Sequence, residues 1–164
     1  MAQFSQNIRK RGSQIENAGT RFVKATAKRA LRLLVEATPV DTGAARSNWR
    51  VGIGASARSA IGPYSPGKKL GIGERSNANA AIAAGIARIN SVRGVSGRGG
   101  GLKTAIYVSN ALDYVGNLPG GRGLNDGYSK QAPAYFIETA LSEATSAIAN
   151  MRVFVSGTGD EGED

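Results

Sequence analysis

Residues 38–49 have the sequence TPVDTGAARSNW, and they separate a helical pattern from an extended one. Proline disfavours helical geometry in the residue before it, so Thr38-Pro39 predicts the end of a preceding helix. Asp41 and Thr42 are typical helix-capping residues, and either side chain is predicted to accept a hydrogen bond from a backbone N–H of a short helix that follows Gly43. The sequence therefore predicts a turn here, with Asp41 bonded to backbone.

An amphipathic helix is predicted on the N-terminal side of this turn, over residues 3–37. Its apolar residues recur at helical spacing: Phe4, Ile8, Ile15, Ala18, Phe22 and Ala25. Gly12 and Gly19 each weaken a helix by about 1 kcal/mol, so the first turns are expected to be separate or frayed.

The pattern after the turn alternates between strands, helices and glycine-rich stretches. Trp49, Val51 and Ile53 alternate with Arg50 and Gly52, which predicts a strand with one buried face and a buried Trp49. Further elements are predicted in chain order: an alanine-rich helix at 77–89, a strand at 103–110, a loop at 117–128, a helix from Ala132-Pro133 onward and a short strand at 153–155.

The resulting fold class is α+β, with a long N-terminal helix and a C-terminal helix packed on a small, mostly antiparallel sheet of two to four strands. A single domain is predicted over residues 1–156, followed by a flexible acidic tail at 157–164. Two long glycine-rich loops, at 54–75 and 91–102, interrupt the domain. Loops of this length are usually functional or disordered, and these could also order against a neighbouring subunit.

Composition excludes several classes of chemistry. The 164 residues include no histidine and no cysteine. A Ser-His-Asp or Cys-His catalytic centre is therefore impossible within one chain, as is a metal site built on thiolate or imidazole. We expect no cofactor. No apolar run is long enough to span a membrane, and the N-terminus lacks the apolar region of a secretory signal, so synthesis in the cytoplasm is expected.

Positive charge is concentrated near the N-terminus. The formal net charge is +9, and residues 1–35 contain eight basic residues against Glu16 alone. Such a helix could attract the phosphate backbone of DNA, although a solvated helix face explains the same pattern. The candidates for contact with DNA or a partner are Arg9, Lys10, Arg11, Arg21, Lys24, Lys28 and Arg98.

Two short motifs suggest enzymatic alternatives. Residues 97–104, GRGGGLKT, lack the glycine directly before the lysine that a phosphate-binding loop requires, and a strand rather than a helix is predicted to follow. Asp41-Thr42-Gly43 matches the turn of aspartic proteases, of which a homodimer would bring together two copies. The turn of aspartic proteases lies between strands, whereas a long helix is predicted before Asp41 in this sequence. A helix-capping turn is therefore the favoured interpretation.

Two blocks of the sequence together resemble a known family. Residues 38–51, TPVDTGAARSNWRV, form the first, and residues 107–110, Tyr114 and residues 127–133, GYSKQAP, form the second. In order and spacing they are similar to the tail-completion (neck) proteins of long-tailed bacteriophages, over roughly residues 15–150. The residues that carry the resemblance are Thr38, Pro39, Asp41, Thr42, Gly43, Arg46, Trp49, Ser129, Gln131, Ala132 and Pro133.

This resemblance implies a structural virion protein of the head–tail junction that has no catalytic activity. It implies a ring of identical subunits, six-fold or twelve-fold, that completes or terminates the tail and joins it to the head around the DNA channel. The implied partners are further copies, the head–tail adaptor and tail-tube proteins, and, non-specifically, genomic DNA; no membrane is involved. A small basic nucleic-acid-binding protein is the alternative, and an aspartic-type protease a more remote one.

Overall fold

The computed structural model describes residues 2–71, 73–92, 105–117 and 135–149. The α+β class predicted from the sequence is confirmed, with a long N-terminal helix, a C-terminal helix and a small antiparallel sheet. The elements in chain order are α1 (Ala2–Ala37), α2 (Ala44–Ser47), β1 (Trp49–Ile53), α3 (Ser76–Ser91), β2 (Ile106–Asn110), a 3-10 turn (Asp113–Asn117) and α4 (Phe136–Ala149).

Helix α1 is a single unbroken helix of 36 residues. The helix continues through Gly12 and Gly19. The separate first turns expected from these glycines are therefore not found, because the lower helix propensity of two glycines does not interrupt the helix. The helix ends where the proline rule predicts. The Thr38 N–H donates to the Leu34 carbonyl at 3.2 Å, and the Thr38 hydroxyl donates to the same oxygen at 2.6 Å.

The sheet of the described residues is a two-stranded antiparallel ribbon. β1 pairs with β2 in a register that places Trp49 opposite Asn110 and Ile53 opposite Ile106. Both strands lie within the segments predicted from their β-branched and aromatic residues.

The core lies between the C-terminal half of α1, helices α3 and α4, and one face of the sheet. Leu31 and Val35 of α1 are fully buried there, together with Ile89 of α3 and Phe136 of α4. Helix α4 contacts α1 through the side that carries Phe136 and Ala140. The burial of these apolar side chains is the main favourable contribution to folding.

Helix α3 packs largely through small residues. Its buried positions include Ala81, Gly85 and Ile89, whereas Ile82 and Ile86 lie half-buried at the edges. A Cβ atom at Gly85 would overlap the Leu31 side chain. The small residues therefore allow α3 to approach α1 closely, which a periodicity of large apolar residues does not reveal.

Several predicted segments lie outside the described residues. They are the glycine-rich loop from residue 93 onward, most of the 117–128 loop, the start of the last helix at Ala132-Pro133, the strand at 153–155 and the acidic tail at 157–164. Among the helices that are described, none is long and apolar enough to cross a membrane.

Replacement of Leu31 by alanine should lower the free energy of unfolding by about 2–5 kcal/mol, because it leaves a cavity in the core. Ile8→Ala in the same helix is the control, because Ile8 is 55% exposed; its effect should stay within about 0.5 kcal/mol. Urea denaturation followed by circular dichroism measures both. Equal losses in the two variants would contradict the position of the core.

Candidate functional site

The junction between α1 and β1 is built on Trp49 and Thr38. Trp49 is 6% exposed, as the sequence predicts, and its indole N–H donates to the Thr38 hydroxyl oxygen at 2.6 Å. Because that hydroxyl in turn donates to the Leu34 carbonyl, a chain of two hydrogen bonds joins the first residue of β1 to the last turn of α1. The angle between helix and strand is thereby fixed.

Arg46 of α2 is buried beside this pair and is only 4% exposed. Its Nε donates to the Thr38 carbonyl at 2.9 Å, its Nη2 to the Glu36 carbonyl at 3.4 Å and its Nη1 to the Glu74 carbonyl. Burial lowers the pKa of the Arg46 guanidinium, and the nearby Glu74 carboxylate opposes that shift. An arginine nevertheless remains charged in a protein, so these acceptors are required to compensate its desolvation.

Glu74 connects this cluster to the start of α3. Its Oε2 lies 4.0 Å from Nη1 of Arg46 and is buried with no hydrogen-bond partner in the described structure. Its Oε1 accepts the backbone N–H of Asn77 at 2.7 Å. One carboxylate thus faces the buried guanidinium and also satisfies a backbone donor in the first turn of α3.

Two buried asparagines hold the 54–75 loop on the body of the subunit. Asn48 accepts the Ile61 N–H and donates to the Ile61 carbonyl, both at 2.8 Å. Asn77 makes the same pair of bonds with Ser65, again at 2.8 Å, and accepts the Ser47 hydroxyl at 2.9 Å. Each carboxamide therefore pairs with a loop residue much as a neighbouring strand would.

The described residues of this loop lie along their own subunit, and its contact with a neighbouring subunit stays a prediction. The Tyr64 N–H donates to the Ser47 hydroxyl oxygen at 3.1 Å, and the Leu70 N–H donates to the Asp41 carbonyl at 2.9 Å. The loop is held because its backbone groups are satisfied by the side chains of Ser47, Asn48 and Asn77 and by the Asp41 carbonyl.

The predicted capping role of Asp41 and Thr42 is wrong. The residue that caps α2 is Gly43, in the left-handed conformation with φ of 80°, and no side chain caps the helix. Asp41 and Thr42 are exposed, and the Asp41 backbone carbonyl is the atom that bonds the Leu70 N–H. The space beside Gly43 is filled by the Asn77 carboxamide, which a Cβ atom at Gly43 would overlap.

The two blocks of the sequence meet at this junction. The Asn110 carboxamide donates to the Ala45 carbonyl of α2 at 2.8 Å. Burial raises the pKa of Tyr114, and the charge of the Asp41 carboxylate raises it further. The remaining residues of the second block, Ser129, Gln131, Ala132 and Pro133, lie outside the described residues.

The basic residues proposed for contact differ in their exposure and in their partners. Arg9, Lys10 and Arg11 are exposed near the start of α1. Lys24 instead donates to the Asn90 carbonyl in the last turn of α3 at 3.2 Å, a favourable position for a cation. Of the others, Arg21 is exposed, Lys28 is half-buried and Arg98 lies outside the described residues.

The first part of α1 has an apolar stripe that no described residue covers. We call residues 2–17 the front segment; at about 1.5 Å per residue it is about 24 Å long. Within it Phe4, Ile8 and Ile15 are 69%, 55% and 61% exposed. From residue 3 onward, the first buried residue of α1 is Ala18, and there the same stripe begins to pack against the body of the subunit.

The described residues contain no group of three or more histidine, cysteine, aspartate or glutamate side chains that could hold a metal ion. A groove of about 410 Å³ lies between β1, the 54–75 loop and α3, and its lining includes Arg50, Tyr64 and Arg88. The groove contains cationic and aromatic side chains, and no acidic side chain lines it.

Residues 2–81 match the model of the family described as "Bacteriophage HK97-gp10, putative tail-component". The match spans α1, the junction, β1 and the beginning of α3, and it confirms the resemblance to phage tail proteins over those residues. A tail component is part of the virion. Neither curated proteins nor solved structures gave a significant match.

Sequence reasoning missed the residues that hold the loop. Asn48, Asn77 and Glu74 are polar residues whose spacing does not distinguish them from solvated ones. Arg46 was found because it belongs to the family motif, and Trp49 also because it begins an alternating strand. The signal that identifies all of them is burial together with complementary backbone partners, which only the structure provides.

Arg46→Lys should lower the free energy of unfolding by about 3–5 kcal/mol, because an ammonium group cannot reach the three carbonyls that the planar guanidinium serves. Arg50→Lys is the matched control, since Arg50 makes one exposed bond to the Ser59 carbonyl. Thermal and urea denaturation compare the two. A loss for Arg46→Lys no larger than that of the control would exclude the buried arginine as the organising contact.

Gly43→Ala should destabilise the protein by more than about 1–2 kcal/mol, because alanine is strained in the left-handed conformation and would also displace Asn77. Gly12→Ala provides the contrast. Gly12 is helical with open space around it, and this change should stabilise the helix by about 0.5–1 kcal/mol. In urea denaturation the two variants should change the free energy of unfolding in opposite directions. A change in the same direction for both would contradict the assignment of Gly43 as the cap.

Proposed function

We propose that this protein is a structural subunit of the phage neck. Identical copies would form a ring at the head–tail junction that completes or terminates the tail and joins it to the head around the DNA channel. The observation that carries this proposal is the front segment of α1, an exposed apolar helix on a protein that matches a family of tail components.

The exposed apolar side chains of the front segment would be stabilised by a binding partner. Most of the stability of a helix in a protein comes from packing of its apolar face, so the front segment, whose apolar face is exposed, gains little from its own subunit. Full burial of a side chain such as Phe4, Ile8 or Ile15 contributes about 1.5–3 kcal/mol, which association can recover. Assembly into a larger structure supplies the missing contacts.

The junction serves assembly by holding the rest of the subunit rigid. Trp49 and Arg46 fix α1 against the sheet, and the asparagines hold the loop, so the front segment projects in a defined direction from an ordered body. A subunit that presents one fixed projection and a separate receiving surface can form a closed ring by heterologous contacts. Head–tail adaptor and tail-tube proteins are the further partners we propose.

The geometry favours a role without catalysis. Asp41 lies on an exposed turn that leads into helix α2, whereas the aspartic-protease turn lies between strands. We therefore propose that the protein acts through shape and contact and makes or breaks no covalent bond.

Contact with the genome is proposed as a non-specific contribution. The front segment carries Arg9, Lys10 and Arg11, which would attract the phosphate backbone of DNA in the channel. The alternative of a dedicated nucleic-acid-binding protein is less well supported, because Lys24 is engaged with α3 and residues 2–81 match a family of tail components.

The neck function is tested in a phage from which this reading frame has been deleted. Electron microscopy of the lysate should show filled heads and tails that remain unjoined, and the wild-type chain supplied in trans should restore complete virions. Immunogold labelling of complete virions should place the protein at the head–tail junction. Intact infectious virions without the protein, or labelling along the tail tube, would contradict the proposal.

A further inference from the structure

We propose that the front segment of α1 from one copy packs on the outer face of α4 of the next copy. This inference rests on the proposed assembly function and names the two surfaces that would join successive subunits. It identifies the occupant of the uncovered stripe as a second copy of this chain.

The first surface is a narrow apolar stripe with one cation inside it. Phe4, Ile8 and Ile15 are separated by four and seven residues, which places them on one side of α1. Arg11 lies three residues after Ile8 and four before Ile15, so it belongs to the same side. Lys10 and Ser13 project from the opposite side and do not contribute to the stripe.

Charge argues against pairing of this segment with itself. Residues 2–17 contain three basic residues and the single acid Glu16. Two copies of the segment side by side would place like charges along a shared seam, which costs free energy in a contact. The partner surface should instead be acidic and partly apolar.

The outer face of α4 has these properties. The helix contains Glu138 and Glu143 and no basic residue. Leu141 is 47% exposed, and Glu138 and Thr145 lie three residues before and four residues after it, on adjoining positions of the surface. The stripe would therefore meet Leu141, and Arg11 would meet Glu138.

The contact must join two copies. The inner side of α4, with Phe136 and Ala140, already packs on the C-terminal half of its own α1. The outer face points away from that helix, so the front segment of the same copy does not reach it. Two different surfaces on each subunit then make a heterologous contact, which can close into a ring.

The acidic tail at 157–164 is a weaker candidate for the occupant. Its sequence, GTGDEGED, carries four acids and no large apolar side chain. It could neutralise Arg11 but could not cover Phe4, Ile8 or Ile15. The face of α4 offers both an acid and an apolar side chain.

Disulfide crosslinking between full-length variants tests the contact directly, because the natural chain has no cysteine. Gly12→Cys, beside the stripe in open space, is mixed with Thr145→Cys, which carries a size tag. Mild oxidation should give a mixed dimer. Ser13→Cys, on the opposite side of α1, is the matched control and should give much less with the same partner.

Charge reversal supplies a second measurement on variants that keep the apolar side chains. Arg11→Glu and Glu138→Arg should each weaken self-association by at least about tenfold, because each places like charges together. The double variant should recover it. Lys10→Glu and Glu143→Arg make the same changes of charge elsewhere on the two helices and should have a smaller effect.

The proposed contact is overturned if the control cysteine crosslinks as well as Gly12→Cys, if the double charge reversal gives no recovery, or if the chain stays monomeric without crosslinking. A Gly12→Cys dimer formed by that variant alone would show that the stripe pairs with itself. These results would not contradict the neck function if immunogold labelling still places the protein at the head–tail junction. The two proposals are therefore tested by different experiments.

Discussion

The structure depends on the burial of one guanidinium group. On folding, Arg46 loses its hydrogen bonds to water, and hydrogen bonds to the carbonyls of Glu36, Thr38 and Glu74 replace them. These acceptors come from the end of the long helix and from the loop before α3, so the arginine is satisfied only when both segments are in place. A buried charge that lacks its partners is strongly destabilising, which makes this arrangement cooperative. Trp49 adds a second constraint on Thr38, because its indole N–H donates to the Thr38 hydroxyl oxygen.

Order in the 54–75 loop follows from that arrangement. Asn48 and Asn77 each occupy the place of a peptide group and pair with both backbone groups of one loop residue. A stretch rich in glycine and proline is thus held without regular secondary structure. The body of the subunit is consequently well connected internally, whereas the front segment of α1 presents apolar side chains to solvent. This contrast between a fixed body and an uncovered projection is what links the fold to assembly.

Periodicity predicted α1, β1 and β2, because apolar or β-branched residues recur at regular spacing in each of them. The end of α1 followed from Pro39, and the burial of Trp49 from its place in an alternating strand. Prediction failed where close contacts decide the outcome. Asp41 does not cap α2, since Gly43 does so in a conformation that depends on Asn77. Likewise, Gly85 is buried through the close approach of Leu31, and Lys24 is engaged by a helix end remote in sequence.

Hydrogen exchange followed by mass spectrometry, on the isolated protein and on the assembled virion, tests the central claim most directly. In the isolated protein, the amides of Ile61, Tyr64, Ser65 and Leu70 should exchange slowly, because each donates to a group of the body. The front segment of α1 should exchange fast there and become protected in the virion. Fast exchange at the four loop amides, or a front segment that is already protected in the isolated protein at high dilution, would contradict the account.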